Sequence, residues 1–591
     1  MSHRLADEHA PDASTEDAPA APARRWPGHL AVLLCYAALG YWVTSRLWVA
    51  PDTRLLADNR NDQPLMEWMF AHGGYALTHL SNPLLTDSVQ VPHGANLMAN
   101  SSIVLPALIL APITLAFGAA TTFVLFTGLC LAGTAAAWYA LFRRRLTDSA
   151  LAAGLGAGLI GFAPGMISLS NAHVHITAQF LVPFIVGCVL PSPGAPRPVR
   201  RGALLGVLLT AQLLTGTEVL LFTVLGAGAF VLLWAAFVPS AARRQVRGLA
   251  IRLGVAVIVF AVLAGYPLWV LLAGPNSYHG TPWDIGIYGT DVASWPWFNA
   301  FSLLGGAAQA ARVYSGNATE QTAFLGPGLL VLVAVLVWWL RRRRTVLALA
   351  ATGLLFAVCS FGTEIVLMRA HTGVAGPWAL VARLPLIEQA IPDRLALVTI
   401  AAFGAILTFG ADRAVRTGLP RPPWLAAYAA ALVPILPTAL PVTHRPPIPQ
   451  FFTAGSWREH VRAGHTVLAV PTSFATDRLS MRWSSGTNAA MAVPDGAVMI
   501  PGPDGKAQWG TPRSRLASTA ARVSRTGRVP RVDDAERARA RSDLAAGRTD
   551  CVVLDPTAPH GTAVRHTLDR LLSVHARYAS GVWYWDVRPT G

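Results

Sequence analysis

The sequence predicts a polytopic α-helical membrane protein that carries a water-soluble α/β domain at its C-terminal end. Three observations predict it. Of 591 residues, 53% are hydrophobic and 13% are charged, whereas a soluble globular chain carries about 25% charged residues. The shortage is confined to residues 28–441, which hold nearly all the long apolar runs, while 442–591 have ordinary polarity. Arginines gather at the ends of the apolar runs, as Arg24-Arg25, Arg143 to Arg145, Arg197 with Arg200-Arg201, Arg243-Arg244, and Arg341 to Arg344.

The net charge of +16 follows that distribution. Cationic loops resist translocation, so clustered arginines mark the cytoplasmic ends of spans. Charge placed this way reports topology and argues against nucleic-acid binding. The five cysteines are Cys35, Cys130, Cys188, Cys359 and Cys551. Four sit in apolar runs and one in the polar part, with no CxxC spacing, so neither a disulfide within the tail nor a thiolate zinc site is expected.

Residues 1–27 read as a disordered cytoplasmic tail, because Ala, Pro, Asp and Glu without an apolar period cannot build a core. His29 to Ala50 is long enough for a first span. Residues 51–100 are polar and belong outside. The run Ile103 to Phe117 has only about 15 residues and contains Pro106 and Pro112, which suits an interfacial helix better than a span. Residues 120–142 then cross inward and place Arg143 to Arg145 in the cytoplasm. With that choice every later arginine cluster also falls inside. Further spans are expected near 149–166, 174–190, 202–216, 219–238, 252–273, 323–340, 345–361, 394–412 and 424–441, roughly eleven in all. Large outer loops are expected at 51–119 and 274–322, and the chain emerges outside. The soluble domain, 442–591, opens with the stiff linker Pro446-Pro447-Ile448-Pro449. Short β-type runs (Val467 to Val470, Val498 to Ile500, Cys551 to Leu554, Val582 to Val587) alternate with helical patterns at Asp533 to Ala546 and Ala563 to Ala576.

Polar residues at the outer ends of spans are the candidates for function. The first outer loop supplies Asp58, Asn61, Asp62, Glu67, Trp68, His72, His93 and Asn96. Long loops with this density of side chains are uncommon unless functional. His173 and His175 lie at one span mouth, Glu218 at another, and Asp393-Arg394 at a third. Plain structural roles stand beside each. Asp58 and Asp62 suit helix capping before Pro64, the histidines suit an interface without a ligand, and Arg394 suits a snorkelling anchor. Glu67 reads as a solvated face. Trp283 to Trp297 reads as an interfacial aromatic belt, with sugar stacking as the lesser reading.

Asn61-Asp62 opens a helix running through Trp68. Asn82-Pro83 and Gly94 to Met98 follow, then Leu108 to Phe117-Gly118 ahead of a span. Pro501 to Gly505 and Gly581 to Asp586 mark the tail. This arrangement resembles the GT-C superfamily of membrane glycosyltransferases, which includes protein O-mannosyltransferases and aminoarabinose transferases, and is especially similar to actinobacterial members. The resemblance covers most of the chain. It implies one span, an outer loop with an essential acidic residue matching Asp62, interfacial helices, and a polyprenyl-phosphate sugar as donor for an envelope acceptor. It implies further that Asp62 is the base, with Asp58, Asn61, Trp68, His72, His93, Asn96, His173, His175, Glu218 and Arg394 around the substrate. Here the loop reads Asn61-Asp62-Gln63 where the family often has a Gly-Asp or Asp-Glu pair. No DxD pair is present, so no cofactor is assigned and a divalent metal stays open. The membrane part contains no lysine, which leaves phosphate to Arg, His or backbone donors. Two other classes compete: a transporter or flippase of envelope precursors, which requires ionisable residues at the bilayer midplane, and a non-catalytic envelope-assembly protein.

Single cysteines placed in 51–100 are expected to react with an impermeant maleimide from outside intact cells, and cysteines beside Arg143 to react only after lysis. Labelling with the opposite sidedness would overturn the topology and, with it, the outward-facing site.

Overall fold

The computed structural model describes residues 26–190, 197–306, 311, 313–384, 387–472 and 478–588. The expected cytoplasmic tail lies outside these residues, apart from its last two. The chain begins with α1 (Trp26–Trp48), whose leucines, alanines and valines run without a charge until Arg46. A short β1 (Arg54–Leu56) leads to α2 (Asp62–His79). Among the described residues six helices are long and apolar enough to cross a membrane: Gly28–Trp48, Ala119–Arg145, Ala150–Leu169, Thr217–Phe237, Pro239–Ala273 and Pro392–Arg416.

The expected interfacial run forms two short helices, α3 (Val104–Ile109) and α4 (Ala111–Phe117). Gly118 then takes φ +85°, a left-handed conformation that costs glycine little, and the chain turns into α5 (Ala119–Arg145). Next come α6 (Ala150–Phe162), α7 (Pro164–Leu169), α8 (Val174–Thr177) and α9 (Val182–Val189). They are followed by α10 (Pro198–Leu213), α11 (Thr217–Phe237) and α12 (Pro239–Ala273). After the outer loop come α13 (Gly326–Trp339), α14 (Arg344–Cys359), α15 (Ala396–Arg416) and α16 (Arg421–Leu432).

Every apolar run of the sequence finds a helix, but the expected count of roughly eleven is not reached by helices of full length. The 174–190 run breaks between α8 and α9. At a rise of 1.5 Å per residue, the 14 residues of α13 cover about 21 Å, less than a hydrocarbon core of about 30 Å. The 424–441 run is helical only to Leu432 and continues as a 3-10 turn at Val433–Ile435.

Helix α2 is the correction with the largest consequence. Of its 18 residues only the ends reach solvent, and the stretch Gln63 to Gly74 is buried throughout. A Cβ on Gly73 would stand 2.7 Å from the Ala107 backbone, so only glycine permits this approach of α2 to α3. Glu67 therefore does not lie on a solvated face. It is 2% exposed and paired with Arg445, Nη2 to Oε1 at 2.7 Å and Nη1 to Oε2 at 2.8 Å. Gln63 Nε2 donates to the same carboxylate at 2.8 Å. Arg445 also reaches the carbonyls of Pro51 and Asp52, both at 3.0 Å. The Pro-rich linker is pinned here as well, since Arg482 Nη2 donates to Pro446 O.

Residues beyond 442 close on the first outer loop. β2 (Val442–His444) pairs antiparallel with β1, Arg54 opposite His444. Asn100 exchanges two hydrogen bonds with Met499, at 2.8 and 2.6 Å, and Val91 N donates to Val493 O at 3.4 Å. Further on, β3 (Thr466–Val470) runs parallel to β4 (Thr549–Leu554), which pairs antiparallel with β6 (Val582–Asp586) and through it with β5 (Arg577–Ala579). Alternate residues of a strand face opposite ways. Leu468, Val470, Val552, Leu554 and Trp585 pack against three later helices (Arg515–Thr526, Asp534–Ala546, Gly561–Leu572). Val467, Ala469, Cys551, Val553 and Tyr584 face the other way, into the main core with Trp68 and Trp483. A sheet covered on both faces reads as continuous apolar runs, which is how these strands appear in the sequence.

Removing one partner of a buried ion pair leaves an uncompensated charge and costs about 3–5 kcal/mol. Glu67→Ala is therefore expected to lower the thermal unfolding temperature strongly, and Glu67→Met with Arg445→Met together to cost less than the sum of the single changes. Additive effects would show that the clamp contributes nothing.

Candidate active site

The turn before α2 supplies the central carboxylate. Capping does not employ Asp62. Asn59 performs that role, its Oδ1 accepting from Asp62 N at 3.2 Å while its Nδ2 donates to Asp62 Oδ2 at 2.8 Å. The same amide holds the Asn171 carbonyl at 2.8 Å, tying the loop to the break between α7 and α8. The Asp62 carboxylate is left to face two other groups. His173 Nε2 lies 3.2 Å from Oδ2, and Arg478 Nη1 lies 3.1 Å from Oδ1. Arg478 is buried, whereas the Asp62 side chain keeps 29% of its surface exposed, so one edge of the carboxylate remains open to an incoming group.

The cluster continues behind His173, whose Nδ1 lies 3.3 Å from Glu320 Oε1. Glu320 takes Arg394 bidentately, Nη2 to Oε1 at 2.5 Å and Nε to Oε2 at 3.0 Å. Arg394 Nη1 reaches Glu218 Oε2 at 2.5 Å, and Glu218 Oε1 accepts from Ile391 N at 2.9 Å. Arg394, Glu320 and Asp393 are all buried. Asp62, His173, Glu320, Arg394 and Glu218 thus form one continuous chain of polar contacts across five segments. Its members come from the start of α2, the α7–α8 break, the loop before α13, the entry to α15 and the start of α11.

Of the residues singled out in the sequence, Asp62, His173, Glu218 and Arg394 meet here. His175 is buried beside them, its ring 5.9 Å from that of His173. Arg394 was expected at a phosphate, but two carboxylates occupy its guanidinium, which suits it to positioning the cluster. Asp58 and Asn61 are exposed at the loop surface. Trp68 is fully buried, with its indole N–H on Ser484 Oγ at 3.2 Å. His72 stacks on Trp68 at 5.2 Å, and burial pushes its imidazole down to about 4. His93 is exposed, with its carbonyl accepting from Asn276. Asn96 is buried and donates to the carbonyls of Val270 at 2.6 Å and Pro275 at 3.1 Å, which ties the loop to the end of α12. Trp283 stacks on Trp509 at 5.5 Å.

Sequence reasoning missed Glu320, Arg478 and Tyr288. Glu320 carries the signal that selected Glu218, an acid at the outer mouth of an apolar helix. Arg478 carries none, standing in a polar stretch among many arginines. The Tyr288 phenol is raised by burial and then by the field of Glu320, with Asp393 and Asp62 adding to it, which places it within electrostatic reach of the cluster. Among the described residues no group of three or more His, Cys, Asp and Glu is arranged to hold a metal ion. The carboxylates of Asp62, Glu218 and Glu320 are committed to arginine and histidine.

The profile of a family described as a domain of unknown function (DUF6311) matches residues 61–387, more than half of the chain. The chain belongs to this family. That span holds Asp62, His173, Glu218 and Glu320, while Arg394 and Arg478 lie beyond it. No curated protein matches the chain. Among solved structures, the arabinofuranosyltransferase AftD from Mycobacteria is similar at 15% identity and a TM-score of 0.53, covering 96% of this chain and 40% of AftD. A mutant form of AftD is similar at 14% identity and a TM-score of 0.54, covering 96% and 42%. An oligosaccharyltransferase from Archaeoglobus fulgidus aligns at 13% identity and a TM-score of 0.45, covering 96% and 75%. The chain spans about two fifths of the length of AftD. At these identities the likeness is one of fold, and the DUF6311 chain is a multi-pass membrane protein whose fold is like that of AftD.

Burial alone would raise the Asp62 carboxyl, but Arg478, then His173 and Asn59, hold it well below the usual carboxylate range. A carboxyl depressed in the folded state adds stability that is fully present above its unfolded value of about 3.9 and is lost as pH falls through the folded value. Asp62 is therefore expected to stay ionised from pH 8 down past about 4. Arg478→Gln is expected to move the acid loss of thermal stability to higher pH, and coincident stability–pH curves for the two proteins would show that Arg478 does not set this carboxylate.

Proposed function

We propose that this protein is a glycosyltransferase that moves a sugar from a polyprenyl-phosphate-linked donor to a cell-envelope glycan, lipid or protein acceptor at the outer face of the membrane. The observation that carries the reading is the half-open Asp62 carboxylate, held between Arg478 and His173 at the outer mouths of the helices on a GT-C fold. AftD, which shares that fold, is described as an arabinofuranosyltransferase. Residues 442–591 are assigned to the same outer face, where they cover the loop bearing Asp62.

An acceptor hydroxyl hydrogen-bonds to the open edge of Asp62. Its oxygen attacks the anomeric carbon of the donor while the bond from that carbon to the phosphate oxygen breaks, with inversion. The hydroxyl proton passes to Asp62, and the electron pair of the broken bond leaves on the lipid phosphate. One carboxylate suffices, because the leaving group is already a stable anion and does not need the second carboxyl of a hydrolase. A carboxylate held this low is a weak base, so orientation of the hydroxyl carries much of the rate. Arg478, buried and paired with Asp62, acts on the leaving phosphate through its field alone. His173, Glu320, Arg394 and Glu218 hold Asp62 in place.

A groove of about 1020 Å³ lies beneath the cluster, and Val219 and Leu397 line it, next in sequence to Glu218 and one turn from Arg394. Its apolar walls suit the tail of a lipid-linked donor. The transporter reading calls for an ionisable pair at the bilayer midplane, whereas the charged network described here collects at the outer ends of the helices.

Asp62→Asn is expected to lower transfer from labelled polyprenyl phosphate sugars in isolated membranes by at least about 100-fold, in line with general base catalysis, with expression unchanged. Full activity in that variant would remove Asp62 from the chemistry and favour the assembly-protein reading.

A further inference from the structure

The groove beneath the Asp62 cluster ends, on the other side of the membrane, in arginine. Helices α5, α9, α11, α12, α14 and α15 line it with apolar side chains such as Phe222, Phe230 and Leu349, and its far rim carries Arg144, Arg145 and Arg252. Arg145 closes a helix of 27 residues, about 40 Å from its start, so this rim belongs to the face opposite Asp62.

Three guanidiniums converge there. Arg145 Nη2 and Arg201 Nη2 donate to one carbonyl oxygen, that of Gly187, at 3.2 and 3.0 Å. Arg252 Nη2 reaches the Val189 carbonyl at 3.5 Å. Two cations sharing one carbonyl, with a third two residues along the same strand of chain, repel one another. Among the described residues no carboxylate pairs with Arg201 or Arg252. Arg252 is 6% exposed, and its Nε and Arg201 Nη1 are buried without a hydrogen-bond partner. Buried cations without counter-charge are costly at membrane depth and ordinarily mark a ligand.

The missing partner is an anion with several acceptor oxygens, since planar guanidinium forks pair best with phosphate or carboxylate. It is also an amphiphile, because two of these arginines, Arg145 and Arg252, rim a continuous apolar groove. A free phosphate would leave that wall bare, and a zwitterionic lipid would bring its own cation to a site already crowded with them. Basic pockets between spanning helices suit anionic headgroups for these reasons. We infer that Arg145, Arg201 and Arg252 bind the phosphate of an anionic phospholipid from the leaflet opposite the Asp62 cluster, with its acyl chains in the lower part of the groove. The inference concerns the arginine end of the groove; the transferase reading enters the same groove from the other leaflet, and the lipid-retention test below is read without any transfer assay.

The test uses the full-length protein purified in uncharged detergent and native mass spectrometry of bound lipid. Phosphatidylglycerol, phosphatidylcholine, a polyprenyl phosphate and inorganic phosphate are added separately. Phosphatidylglycerol is expected to be retained at least about tenfold more tightly than phosphatidylcholine, and Arg201→Gln with Arg252→Gln to erase that preference, a tenfold change being one step of affinity. Arg201→Lys with Arg252→Lys keeps the charge and should restore part of it. Equal retention of the two phospholipids by the wild type overturns the site, and this arm stands even if the glutamine variant fails to fold. An unchanged preference in a folded glutamine variant also overturns it. Tighter retention of the polyprenyl phosphate, lost in the same variant, overturns the assignment to a bilayer phospholipid, and binding of inorganic phosphate with equal strength removes the role of the groove.

Discussion

The pairing of Asp62 with Arg478 joins the loop ahead of α2 to a segment more than four hundred residues away, and the geometry of the candidate site depends on it. A carboxylate and a guanidinium leave water here at a cost of several kcal/mol per ion. That cost is met only when both are in register, with Asn59 and His173 completing the shell. Neither partner is stable in its place without the other. The contact therefore selects one arrangement of the loop, the α7–α8 break and the polar C-terminal part, and excludes neighbouring registers in which a charge would stand alone.

The clamp between Glu67 and Arg445 works to the same end one turn deeper. It fixes the helix that carries Asp62 against the entry to the C-terminal part, while β1–β2 pairing and the Asn100–Met499 exchange hold the remaining edges. The apolar residues around these charges are shared across the same boundary. Trp68 from the loop, Trp483 and the inner face of the four-stranded sheet lie in one core. The rigidity of the site comes from this layering, in which a continuous apolar body surrounds a few fully committed ions. Asp62 alone keeps a substantial part of its surface open, so chemistry on a substrate is confined to one edge of one carboxylate.

The two membrane faces are built differently. On the Asp62 side arginines are matched by acids, Arg394 by Glu218 and Glu320, Arg478 by Asp62. On the opposite side, among the described residues, Arg201 and Arg252 meet backbone carbonyls, while Arg416 pairs with Asp412.

Much of the architecture was legible in the chain itself. Apolar length located the long helices, and the prolines at 106 and 112 separated the short pair α3 and α4 from them, because these are local properties of the backbone. Asp62, His173, Glu218 and Arg394 stood out for a similar reason, as polar groups at the edges of apolar runs. What lay beyond reach was pairing. Nothing in the local sequence distinguishes Arg478 from the other arginines of the polar part, or marks Glu67 as buried on a helix that packs on every side. Trp68 and His72 sit on that same helix, and their place in the core and not at the substrate depended on which later segment closed over them. Local sequence sets which groups are charged and where the chain meets the membrane. Only the tertiary structure decides which charges meet, since an ion pair between remote segments leaves no periodic trace in either of them.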